Sequence, residues 1–423
     1  MKLCNFYNTA VMKQHIKSKC AILSASQVFR DTFRFYVLCG SCCTLCFFCV
    51  VCFKVDVLIA QVQKPLPISS ANVLNGRVRG VQDKLPIAGA RVFIANTMIG
   101  AISATDGTFR LVGVPSGKQD LVVSAMGYQL VSVPLGTVTP AMDSTERKIE
   151  VLLNIKPVQM GQVNVTTRRK PLDTTVYLRA LTELLLGVTE NARLVKILNP
   201  QVFRVSVEED EQGKEVVTAG VTEPLVIENK ALGYKLTYYL QTCGYTSKKA
   251  WYEGFVWFEQ LIPLSTQEEW LWGERRKKAY YGSTQHFLRA LAADSLLQEG
   301  FTVRRVADVV NYFRKAGSVE AVQAKEIAAP TNNPESFVFA GAPALEVVYE
   351  RANLDLTMKI RLGRSVFGRS QGQASLLEPK QDIVLFNPLG HFEHPREVSV
   401  AGYMSYARLA DQLPATYYPT LNN

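Results

Sequence analysis

The sequence predicts a mainly β protein: a small antiparallel β-sandwich followed by a larger strand-rich α+β region with a few helices. Two observations carry this. Between 73 and 155 short runs alternate apolar and polar residues with turn signals between them and no helical pattern. Beyond 175, strand-like runs outnumber helical ones and do not alternate with them regularly, which separates α+β from α/β.

Before the sandwich lies a segment of different texture. Phe35 to Phe53 is 19 residues without a charge, bracketed by Arg30 and Arg34 on one side and Lys54 and Asp56 on the other. As a helix it would be about 28 Å long, close to the hydrocarbon thickness of a bilayer. The basic stretch before it and Val57-Leu58-Ile59-Ala60-Gln61 after it fit an export signal cut after Ala60, with Met12 as an alternative start. The alternative is a retained inner-membrane anchor at 35–53. Under either reading residues 1–60 serve export or anchoring, and the body lies outside the cytoplasm, in the periplasm or associated with the outer membrane.

This assignment reinterprets the charge. The formal net charge is +10, but residues 1–60 hold seven basic groups against two acids, which is half of it. A nucleic-acid partner is therefore not expected. Eight of nine cysteines lie in the first 52 residues. Cys43, Cys46, Cys49 and Cys52 are similar to an iron–sulfur ligand string, but the last spacing is two and Phe53 stands in place of the usual Pro. They read as small hydrophobes, with no cofactor. Past Ala60 only Cys243 remains, so the body forms no internal disulfide. At 48% hydrophobic and 20% charged the chain is neither collagen-like nor wholly disordered. It is also too short for a 22-stranded outer-membrane transporter, at roughly 10 residues per strand plus loops and plug.

After a Pro-containing linker at 61–72, Gly76, Val78 and Gly80 alternate with Arg77 and Arg79; Phe109 and Leu111 flank Arg110; Leu121, Val123 and Ala125 share one parity, as do Ile149, Val151 and Leu153. Half-buried strands have this period of two. Pro86-Ile-Ala-Gly89, Asp106-Gly107 and Pro115-Ser-Gly117 supply the turns. Six or seven strands in 73–155 make a sandwich.

Gly76-x-Val78, Pro86-x-Ala88-Gly89-Ala90-x-Val92, Asp106-Gly107-x-Phe109, Val114-Pro115-x-Gly117 and Gly127-Tyr128 occur in order. Together they resemble the carboxypeptidase regulatory-like domain, a transthyretin-like or Ig-like sandwich; Ser103-Ala104 stands where that family usually has Thr-Asp. Leu152 to Val165 resembles the segment that follows this module in exported outer-membrane proteins, and 156–175 reads as a connector. The resemblance implies an accessory, non-catalytic domain, sometimes described as a carbohydrate-binding-like fold. Zinc carboxypeptidase chemistry needs His-x-x-Glu and a third His downstream. Only His394-Pro-Arg-Glu397 fits, and no His follows it. His391-Phe-Glu-His394 reads as a loop with exposed imidazoles.

In 176–423 a helix is expected over Val176 to Leu185, stopping at Gly187, and a second from Ser283 or Thr284 to Gly300 that buries Phe287, Leu288, Leu291 and Leu296. Strands are expected at 201–207, 216–228, 234–242, 250–261, 344–349, 354–362, 381–386 and 397–406. Segments 228–234 and 279–291 resemble an uncharacterised region that accompanies the regulatory-like module in exported bacterial proteins.

Two constellations are candidate binding residues. Trp251, Phe255 and Trp257 share one face of a strand, and a planar aromatic face stacks on sugar rings; aromatics on both faces also fit burial. Arg275-Arg276-Lys277-Lys278 beside Tyr280-Tyr281 is the longest basic run of the body, suited to phosphate or carboxylate groups of glycans or lipids, and otherwise a solvated loop. No G-x-S-x-G, Walker loop, H-E-x-x-H or dinucleotide fingerprint occurs. The expectation is a non-catalytic exported envelope protein, with neither catalytic nor metal-ligating residues assigned, that binds glycan or another outer-membrane or periplasmic protein. The alternative is a hydrolase built from His286, His391, His394 and Glu397.

Overall fold

The computed structural model describes residues 72–138, 147–156 and 174–420, apart from 248, 316–318, 334, 355 and 364. The apolar run 35–53, the linker up to 71 and the connector 157–173 lie outside the described residues. No helix among the described residues is long and apolar enough to cross a membrane.

The first seven strands are β1 (Val73–Gly80), β2 (Arg91–Ile94), β3 (Gly100–Ile102), β4 (Thr108–Val112), β5 (Gly117–Ser124), β6 (Val131–Val138) and β7 (Arg147–Leu153). They form two sheets, ordered β4-β1-β7 and β3-β2-β5-β6. Pairing is antiparallel as expected except between β1 and β7, which run parallel. Val78, Val92, Ile94, Phe109, Leu121 and Val151 fill the space between the sheets. Ser103, at the position that departs from the family pattern, still performs a polar task. Its hydroxyl accepts from Ala90 N at 2.9 Å and donates to Ile87 O at 2.7 Å, tying the open end of the β2–β3 hairpin to the segment before it. β2 and β5 differ from simple alternation: Phe93 and Val122, on the outer side of their sheet, are as buried as the residues facing the core.

Helix α1 (Thr174–Leu186) matches the expected helix, and Gly187 ends it in the left-handed region at φ +88°. Then come β8 (Val195–Ile197), β9 (Phe203–Glu209), β10 (Glu215–Val221), β11 (Leu225–Asn229), β12 (Tyr234–Tyr245) and β13 (Ala250–Gln260), one sheet ordered β8-β11-β12-β10-β9 with β13 along the other edge of β12. Leu181, Leu184 and Leu185 of α1 pack with Leu225, Leu236 and Phe258 on one face.

The last part holds α2 (Thr266–Tyr280), α3 (Thr284–Ala292), α4 (Leu296–Glu299), β14 (Phe301–Val306), α5 (Val309–Lys315), β15 (Val319–Ala321), α6 (Ala324–Ile327), β16 (Ala328–Pro330), β17 (Phe337–Phe339), β18 (Ala344–Asn353), α7 (Leu356–Leu362), α8 (Val366–Arg369), β19 (Gly372–Pro379), β20 (Val384–Asn387), β21 (His391–Phe392) and β22 (Val398–Gly402). One sheet runs β15-β14-β18-β19-β22 and a smaller one β16-β17-β20-β21. The larger sheet is covered on both faces. Phe301, Val303, Val347 and Leu377 meet α3 and the small sheet, while Val306, Val348, Ala374 and Leu376 meet α5, α7 and α8.

Three expectations are corrected here. Within the expected strand 354–362, Leu356–Leu362 form helix α7 instead, because tertiary packing of Leu354, Met358 and Leu362 overrides the local alternation. The single helix to Gly300 is two, broken at Asp294, whose φ is +50°. Residues 397–406 are strand only through Gly402, then a 3₁₀ turn over Tyr403–Tyr406.

Candidate functional site

The aromatic strand β13 pairs with β12 so that Trp251 lies opposite Gly244, Phe255 opposite Tyr239 and Trp257 opposite Thr237. Cross-strand partners share a face. One end of that face is covered by the sandwich. Phe93 stacks on Tyr239 with centroids 5.1 Å apart and on Trp257 at 6.1 Å, and Val122, Ala95 and Phe255 join the cluster. The Arg91 guanidinium lies 5.3 Å from the Trp257 ring centre. Backbone bonds close the junction: Asn96 N donates to Val256 O at 2.8 Å and Phe258 N to Thr97 O at 3.0 Å. The β2–β3 turn thus adds a short parallel rung to the free edge of β13. This is why Phe93 and Val122 are buried on the outer side of their sheet.

Trp251, at the other end of the face, is held differently. Its indole lies over Gly244, where an added Cβ would sit 2.6 Å from the ring, and Nε1 donates to Thr242 Oγ1 at 3.3 Å. Only glycine lets the ring lie down on the sheet at this position. One ring face is thereby taken by backbone while the residue stays half-buried, with the Lys249 ammonium 5.7 Å from the ring centre. Glu253, on the same face, pairs with Arg396.

The basic run lies in a helix, not a loop. Ser265 Oγ accepts from Glu268 N at 3.1 Å to cap α2, Glu268 and Glu269 fall in its first turn, and Lys277 and Lys278 in its last. Three of the four cations are engaged within the chain. Arg276 donates to Leu232 O at 2.6 Å and stacks 4.2 Å over Tyr234, Lys277 pairs with Glu274 at 3.0 Å, and Lys278 pairs with Glu190 at 2.7 Å. Arg275 is half-buried beside them.

Tyr280 and Tyr281 turn away from that run toward His286, 4.9 and 5.2 Å from its ring, with Phe301 and Tyr349 completing the enclosure. Gly282 N donates to His286 Nδ1 at 3.2 Å, which leaves the ring proton on Nε2 to donate to Glu299 Oε2 at 3.1 Å. Burial lowers the imidazole pKa despite Glu299. Glu299 was missed as a partner because only the break at Asp294 folds α4 back over α3. His391 also differs from expectation: it is half-buried instead of exposed, and burial pushes its pKa down to about 4, while His394 is exposed. Among the described residues no three or more His, Cys, Asp or Glu converge on a point that could hold a metal.

Residues 405–418 are a further feature that sequence reasoning did not see. Leu409 N and Ala410 N donate to Leu185 O and Leu186 O, Asn229 Nδ2 donates to Ala410 O at 2.9 Å, and Ala415 N donates to Asn96 O of the sandwich at 2.7 Å. Arg289, buried in α3, spreads its guanidinium over Leu389 O, Tyr417 O and Ala415 O at 2.7–3.0 Å. Asp411 accepts from Thr189 Oγ1 at 2.6 Å and Asn191 Nδ2 at 2.8 Å, and burial raises its carboxyl pKa to about 6. Beside it Thr189, Glu190, Lys278, Tyr403 and Met358 line a cavity of about 40 Å³. At roughly 10–15 Å³ per water, that is room for a few waters and too small for a sugar ring.

Fold and site together define an accessory β-sandwich docked through an aromatic cluster onto a strand-rich α+β body. Residues 74–165 match the CarboxypepD_reg-like domain, so the N-terminal part of the described chain is a module of that family. No curated protein matches the chain. A structure of a type II cohesin–X-dockerin complex from Acetivibrio cellulolyticus is similar over 19% of this chain and 56% of that one, at 18% identity and a TM-score of 0.17. The Bacillus anthracis TIE protein is similar over 46% and 31%, at 14% identity and 0.16. Likenesses at this level add nothing to the reading of function.

Proposed function

We propose that the protein is a non-catalytic, exported cell-envelope protein in which the sandwich is a docking module held rigidly on the α+β body, and the open end of the aromatic strand binds envelope glycan. The observation that supports this is Trp251: a half-buried indole laid flat over Gly244 and pinned by Thr242, beside Glu253. A fixed ring is what a pyranose stacks on, here by displacing the Lys249 ammonium that lies 5.7 Å from the ring centre, and its pre-ordering lowers the entropy cost of binding. Phe255 and Trp257 then support the platform from beneath the sandwich. The test is titration of the full chain with purified envelope polysaccharides. Trp251→Ala is expected to weaken binding by roughly five- to tenfold, about 1–1.4 kcal/mol, with the melting temperature little changed. Binding that is unaltered in Trp251→Ala removes the platform.

A further inference from the structure

Helices α5, α7 and α8 cover one face of the β15-β14-β18-β19-β22 sheet, and they bury Tyr312, Met358, Leu362 and Phe367 against it. The apolar alternation over 356–362, wound into a helix, leaves Leu356 and Ile360 one turn apart on the side away from the sheet, 73% and 71% exposed. On α5 Val310 and Phe313 are likewise 60% and 47% exposed. Phe313 also meets Phe367 edge-on at 5.9 Å, while the exposure of Leu356, Ile360 and Val310 is not accounted for by packing within the chain.

The helices themselves carry only cations, with Asp308 and Asp355 just before α5 and α7. The three helices carry Arg314, Lys315, Lys359, Arg361 and Arg369 and no acidic residue. Lys359 and Arg361 are exposed on α7 itself, Arg361 also reaching Glu183 at 3.5 Å. The nearest acid in sequence to α5, Asp308, is occupied at that helix's start, accepting from Asn311 N at 2.9 Å. Aliphatic and aromatic tips interleaved with cations on the outer side of short helices match the interface of an anionic bilayer, where the tips enter among the headgroups and the cations meet phosphate. We infer that the outer face of α5 and α7 is a peripheral contact for an anionic lipid bilayer. It does not depend on the glycan reading, which concerns a different sheet.

The experiment is hydrogen–deuterium exchange of the full chain with phosphatidylglycerol-containing vesicles, with pure phosphatidylcholine vesicles, and without lipid. Amides of 309–315 and 356–362 are expected to slow at least several-fold with the anionic vesicles alone. The slowing is lost in Leu356→Ser/Ile360→Ser and weakened in Lys359→Glu, whose circular dichroism and melting stay native because the changed side chains are exposed. Slowing that is equal on both lipids, confined to 35–53 or to 266–281, or dependent on protein concentration without lipid overturns the inference. The last outcome would assign the face to a second copy of the chain.

Discussion

Replacing Phe93 by alanine tests whether the sandwich is an integral part of the body or a module merely resting on it. Phe93 is fully buried, yet it lies outside the sandwich's own core, between Val122 on its own sheet and Tyr239 and Trp257 on β12 and β13. Loss of a fully buried Phe costs about 3–5 kcal/mol, and an interface that can partly close after the loss falls near the lower end. At about 2 °C per kcal/mol for a body of this size, the shift is about 6 °C. Calorimetry of the full chain should show that shift together with a sandwich transition separating from the main one. Tyr239→Ala in the same background should reveal a coupling of about 1 kcal/mol for the stacked pair. Met126→Ala, at a side chain 99% exposed, is the control that moves nothing. A single transition at the original temperature in Phe93→Ala would refute the docking argument, since the residue has no other packing to lose.

Three further outcomes are expected. Asp411 keeps its proton in the folded chain to about pH 6, whereas the unfolded carboxyl ionises from 3.8; the unfolded state therefore binds fewer protons between those values, and stability falls as pH rises through them, by at most about 3 kcal/mol. Asp411→Asn should flatten that slope in urea titrations at pH 4 and pH 7, and a wild-type-minus-variant difference independent of pH would show that the carboxyl is not held neutral. Arg289→Lys cannot address three carbonyls from one ammonium; it should cost about 2 kcal/mol and expose 405–418 to limited proteolysis, and a cleavage pattern like wild type would count against the clamp. Cys243 is buried, with its thiol pushed up to about 12, so maleimide should modify it only at the rate of unfolding, read at that residue by mass spectrometry; rapid labelling of native protein would contradict its burial.

What could be read from the sequence follows from which surfaces are wet. The sandwich strands show their period because one side of each meets solvent or a single core, and β12 and β13 were visible for their length and aromatic content. β19 was not, since layers on both faces remove the alternation: Gly372 to Leu377 is buried at six successive positions. α2 escaped for the opposite reason, burying only Trp272 and Tyr280 and so carrying no apolar stripe. Trp251, Phe255 and Trp257 lie on one face as the alternation implies, but nothing local distinguishes the indole stacked by the sandwich from the one laid over Gly244. That difference lies in Phe93, more than 150 positions earlier. The pairings of His286 with Glu299 and of Asp411 with Thr189 and Asn191 likewise depend on chain reversals and long-range packing that no motif encodes.

The segment 405–418 has a kinetic consequence. Gln412 meets Asn96 across 316 positions of chain, and Ala415 binds the same asparagine's carbonyl. A chain emerging from its N-terminus can complete the sandwich core by Leu153, but the Phe93 face stays uncovered until β12 and β13 arrive, and the lock across all three parts closes only when the last strap is present. Contacts this distant in sequence form slowly. The exposed ring of Phe93 is therefore the surface most in need of protection while the protein is being made or moved.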